Sequence, residues 1–81
     1  MIIINGVVWN IELVSPYHTK LIRRNGSRSV GVCDKKTKTI YIRQGMTQDF
    51  TERVLIHEIF HAIVFSYGIK MDLDTEERLA N

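Results

Sequence analysis

Residues 47–68 read TQDFTERVLIHEIFHAIVFSYG, and this stretch decides the fold. Neither Pro nor Gly interrupts it between Thr47 and Gly68, so one long helix is predicted. Thr47 suits the N-cap, Asp49 the positive end of the helix dipole, and Gly68 the C′ position that ends the helix. From Val54 to Phe65 every residue is apolar except His57, Glu58 and His61. A helix apolar nearly all round is expected to be buried within its domain. Ionisable groups on such a helix are costly unless they are paired or bind a metal.

The three exceptions are spaced H-E-x-x-H. On a helix, positions i and i+4 lie about 40° apart around the axis and one turn apart along it. Two imidazoles so placed grip one metal ion, and the glutamate beside the first reaches a water on that metal. Bound zinc lowers the pKa of that water to about 7. Glu58 is then the general base, passing the proton to the leaving amine. The competing reading is a pair of core imidazoles hydrogen-bonded to carbonyls. Two histidines and a carboxylate with open positions also suit ferrous iron.

Catalytic zinc takes three protein ligands and a water. The acidic group Asp72, Asp74, Glu76 and Glu77 follows the long helix closely. Met71–Asp74 reads as a connection, and residues 75–81 as a short second helix capped by Thr75. Glu77 shares a face with Asn81, which suits a ligand with a supporting amide. Glu76 shares its face with Leu79 and Ala80, the core-facing positions. Glu77 is the first choice for third ligand and Glu76 the alternative, with Asp74 and His18 also open. Tyr67, Tyr41, Tyr17 and His18 are the candidates to stabilise an oxyanion. Cys33 reads as a small buried hydrophobe, or else as a thiolate approaching the metal.

Upstream the pattern is β. Ile2–Ile4 and Val7–Val14 flank Asn5-Gly6, the favoured two-residue hairpin turn. Ser15-Pro16 ends the second strand. Leu21–Arg24 and Ser29–Cys33 are predicted as short strands joined at Asn25-Gly26-Ser27. Asp34–Lys38 is a polar turn, and Thr39–Arg43 a β-branched and aromatic strand. The expectation is an α+β fold: antiparallel hairpins packed on the long helix, in one domain over residues 1–81.

The 81 residues carry 11 basic and 9 acidic side chains, both spread along the chain. The clusters Lys20, Arg23, Arg24, Arg28 and Lys35, Lys36, Lys38 surround turn signals. They read as solvated loops rather than a nucleic-acid footprint. A single cysteine excludes an internal disulfide, which makes the cytoplasm the default setting. The start, Met-Ile-Ile-Ile-Asn-Gly, is not a signal peptide, and no run of 18 apolar residues is present to span a membrane.

The stretch from Tyr41 through Thr51–Ala62 to Ser66-Tyr67-Gly68 and Glu77-Arg-Leu-Ala-Asn81 resembles minimal gluzincin-type zinc metallopeptidases. These are small zincin-like proteins frequent in bacteriophages and prophages. The metallopeptidase domain of the ImmA/IrrE family is similar, and SprT-like domains more remotely so. Glu77-Arg78-Leu79-Ala80-Asn81 fits the E-x-x-A-N pattern that carries the third ligand in the ImmA/IrrE family. The resemblance covers roughly the C-terminal half. It implies a zincin-like fold, one zinc ion per chain at His57, His61 and Glu77, and Glu58 as general base. It also implies a protein or peptide substrate, taken along an edge strand equivalent to Thr39–Arg43. SprT-like enzymes use a third histidine, and none follows His61. ImmA/IrrE proteins continue with a further helix, whereas this sequence ends on Asn81, implying a reduced member or an incomplete helix.

Three functions compete at this point. The first is a zinc-dependent peptidase. The second is a zincin-fold regulatory protein of phage accessory type, with a structural or vestigial metal, for which the small size argues. The third is a nucleic-acid-binding module with an incidental motif. Oligomeric state stays open.

Overall fold

The computed structural model describes residues 1–69. The predicted second helix, with Asp72, Asp74, Glu76 and Glu77, lies outside them. The described residues form a four-stranded mixed sheet with one helix packed on it. The strands are β1 (Ile2–Ile4), β2 (Val7–Val14), β3 (Gly31–Asp34) and β4 (Thr39–Arg43), followed by helix α1 (Gln48–Ser66). The sheet order is β1-β2-β4-β3.

The β1–β2 hairpin forms as its turn dictates. Asn5 and Gly6 both take positive φ, 49° and 77°, as a type I′ turn requires. Ile2 pairs with Trp9 and Ile4 with Val7. β3 and β4 form a second antiparallel hairpin, with Gly31 opposite Ile42 and Cys33 opposite Ile40. Asp34 organises its turn, its Oδ1 accepting from the N–H groups of Lys36 (3.0 Å) and Thr37 (3.4 Å).

The expectation of an all-antiparallel sheet does not hold. β2 and β4 are parallel, from Asn10 opposite Thr39 to Val14 opposite Arg43. Parallel neighbours need a long crossover. Residues 15–38 supply it and carry β3 to the far side of β4. β4 is therefore an interior strand, not the edge that the resemblance implied. β3 is the edge on this side among the described residues. The strand expected over Leu21–Arg24 is instead a 3-10 turn, Thr19–Leu21, followed by a single Ile22–Arg28 bridge. His18 caps that turn, its Nδ1 accepting from the N–H of Lys20. Asn25 then draws the chain into a tight loop, its Oδ1 accepting from Ser27 N and Oγ. Too little extended chain is left for a ladder.

Alternation along β4 sends side chains to two cores. Ile40 and Ile42 face α1 and pack with Trp9, Val54 and Ala62. Tyr41 faces the other way, onto Val14 and Leu21, where the 3-10 turn closes a second small core. Complete burial of Trp9, Leu21, Ile40 and Ile42 contributes about 1.5–3 kcal/mol each from water exclusion.

Thr47 caps α1, its Oγ1 accepting from the N–H of Phe50. At the other end Ser66 ties the helix to the first hairpin. Its carbonyl accepts from Asn5 Nδ2 (2.9 Å), and its Oγ accepts from Trp9 Nε1 (2.8 Å). Burial of α1 is one-sided, contrary to the expectation of a helix enclosed all round. Val54, Glu58, His61, Ala62 and Val64 are buried, while Ile56 is 64% and Phe65 40% exposed. The described residues place a sheet against only one face of this helix.

Candidate functional site

Helical spacing sets out a stripe along α1. Phe50, Arg53, Val54, His57, Glu58 and His61 recur at three- and four-residue intervals, so they share one side of the cylinder. The upper part of the stripe looks across to the chain entering β3. Between them lies an open pocket of about 420 Å³. On the helix side its described wall is Phe50, Arg53, Val54, His57 and Glu58. Arg23, Ser29, Val30 and Gly31 form the opposite wall.

His57 and His61 meet at their ring tips. Their Nε2 atoms are 3.1 Å apart, with ring centroids 4.8 Å apart and planes inclined by 72°. Two nitrogens at about 2.0–2.1 Å from a tetrahedral metal are separated by about 3.3 Å. The observed separation therefore fits two ligands of one ion with little adjustment. A hydrogen bond from one neutral imidazole to the other spans the same distance. His61 and Glu58 are each 8% exposed, while His57 is half-buried and reaches the pocket. No buried side-chain nitrogen or oxygen among the described residues lacks a hydrogen-bond partner.

Glu58 is placed by its contact with the edge strand. Gly31 lies so close to α1 that a Cβ there would stand 2.6 Å from Val54 Cγ1 and 3.2 Å from Glu58 Cγ. The carboxylate is equally near, with Oε2 at 3.4 Å. Glycine is thus required at this crossing by proximity rather than by backbone conformation. Gly31 and Cys33 face α1, since they pair with Ile42 and Ile40. Cys33 packs on the core cluster beside those residues.

The remaining sequence candidates are dispersed. Glu77, Glu76 and Asp74 lie outside the described residues. His18 stacks on Tyr41 with centroids 5.4 Å apart, on the sheet face turned away from α1. Tyr17 lies under the Arg28 guanidinium, 4.4 Å from ring centroid to Cζ. Tyr67 is the helix C-cap and 59% exposed. Accordingly, the described residues bring together no group of three His, Cys, Asp or Glu side chains able to hold a metal. They supply a pair of histidines whose Nε2 atoms meet, with Glu58 next to the first in sequence.

The pocket also contains residues that sequence reasoning passed over. Arg53 precedes His57 by one helical turn, a spacing that was there to be read. Arg23 and Ser29 carry no such signal, because a fold of the loop brings them to the helix. Arg23 Nε donates to the buried Ser29 Oγ at 2.8 Å. Ser29 is held in turn by its N–H donating to the Leu21 carbonyl at 2.7 Å.

Compared with protein-family models, curated proteins and solved structures, the chain matches none.

Proposed function

We propose that this protein is a small gluzincin-type zinc metallopeptidase that hydrolyses peptide bonds in a protein or peptide substrate. His57 and His61 hold one zinc ion through Nε2, and Glu77 completes the ligand set, with Glu76 as the alternative. The observation that carries this reading is the 3.1 Å approach of the two Nε2 atoms beside a pocket whose wall includes Glu58.

When bound, zinc supplies a water of lowered pKa and polarises the carbonyl to be attacked. Glu58 would serve there as the general base and then as the proton donor to the departing amine. Its burial against Gly31 limits its rotamers and keeps the carboxylate on the pocket side of the helix. Among the described residues the outer side of β3 has no strand partner, and an extended substrate would add there, next to Glu58. The pocket volume of about 420 Å³ lies in the range of about 300–1,000 Å³ common to ligand sites, which answers the argument from small size. Among the described residues no helix is long and apolar enough to cross a membrane, and a cytoplasmic setting belongs to the proposal.

The test uses a pool of synthetic peptides, with new termini read by mass spectrometry. Zinc-loaded wild type is expected to cut a subset of peptides. Glu58→Gln should lower the rate by a factor of about 10²–10⁴, the usual contribution of a general base. Equal cleavage by the two proteins would overturn the assignment of Glu58. Tight zinc binding without any cleavage would leave the regulatory, metal-bound reading in its place.

A further inference from the structure

We infer that the pocket beside His57 and Glu58 receives an acidic substrate residue, whose carboxylate is read by Arg53 and Arg23. The inference rests on the peptidase reading for the ligand being a peptide. The charge preference stands on the pocket itself.

Two guanidinium groups line this pocket from opposite walls, Arg53 on α1 and Arg23 on the loop before β3. In the described part of the wall Glu58 is the only carboxylate facing these two groups, so that part carries a net positive charge. The Lys20–Asp34 ion pair includes neither arginine. Arg23 is also oriented. Its Nε donates to Ser29 Oγ, and among the described residues no bond is made by the two terminal nitrogens, which form a fork suited to a carboxylate. Ser29 is 8% exposed and its N–H donates to the carbonyl of the wholly buried Leu21, so this anchor is tied to the core. Phe50 stands one turn before Arg53 and gives an apolar wall for the methylene groups of the acidic side chain. A basic residue in the same place would face two like charges and is disfavoured.

Zinc-loaded Glu58→Gln protein is titrated with labelled, end-capped hexapeptides, and binding is read by fluorescence anisotropy. The peptides carry Glu, Gln or Lys at one position, moved in turn along the sequence. At one position the Glu peptide is expected to bind about tenfold more tightly than the Gln peptide, with the Lys peptide weakest. Arg53→Gln and Arg23→Gln should each weaken the Glu peptide far more than the Gln peptide and so remove the Glu preference. Arg53→Lys, which keeps charge without the fork, should retain part of it. Melting curves of all variants confirm that they are folded.

Equal binding of Glu and Gln peptides at every position would overturn the inference. So would arginine variants that weaken all peptides alike, or an oligothymidylate that binds more tightly than any peptide and displaces it. Arginine-dependent Glu binding with no cleavage by the wild type would keep the basic pocket and remove the peptidase. Cleavage without any acidic preference would do the reverse.

Discussion

At the scale of single residues, the candidate site depends on one close approach. Gly31 lets the edge strand sit against Val54 and Glu58, and no larger residue fits without displacing one of them. Gly31→Ala is expected to destabilise the fold by about 1–3 kcal/mol, the usual cost of overpacking, as measured by urea unfolding. It should also lower any activity that depends on Glu58 more than Val30→Ala does. Gly31→Ala with unchanged stability and rate would show that the approach is not needed. His57, Glu58 and His61 were legible as a group because helical periodicity alone aligns them. Arg23 and Ser29 were not, because their neighbours in space are distant in sequence. Arg53 was legible by the same periodicity but lacks the ligand chemistry that drew attention to the histidines.

Among the elements, α1 and the first hairpin were readable down to their caps. Thr47, Asn5 and Gly6 each adopt the conformation that their chemistry favours. The order of the strands was not readable. Alternation shows that a strand forms and which residues share a face, but it says nothing about which neighbour it takes. The crossover of residues 15–38 put β4 inside the sheet and left β3 at the edge among the described residues, and the hydrophobic pattern of β4 suits either place.

The start of the β3–β4 turn also makes a pH-dependent contribution. The ammonium of Lys20 donates to Asp34 Oδ2 at 2.7 Å, and this bond is the largest influence lowering the Asp34 pKa from 3.8 to about 2. A group with a depressed folded pKa stabilises above its unfolded value, and that contribution is lost as pH falls toward the folded value. Stability should therefore decline between about pH 4 and pH 2 through this group, and Asp34→Asn should flatten that part of the profile. An identical acid limb in Asp34→Asn, followed by circular dichroism, would contradict this account of the turn.

For the whole molecule, Ser66 ties the helix to the first hairpin through two hydrogen bonds. Ser66→Ala strands the buried indole N–H of Trp9, so a loss of about 1–3 kcal/mol in unfolding free energy is expected. A metal held by His57 and His61, as proposed, would add a further constraint, since it would bind the folded chain and not the unfolded one. Zinc should raise the melting temperature of the wild type and leave a His57→Asn, His61→Asn double variant unchanged.

The most direct measurement is the zinc content of the full chain, purified without chelator and dialysed, alongside that double variant. One tightly held zinc per wild-type chain, absent from the variant, is the predicted result. Zinc far below one per chain in the wild type, or equal in both proteins, would contradict the metal centre.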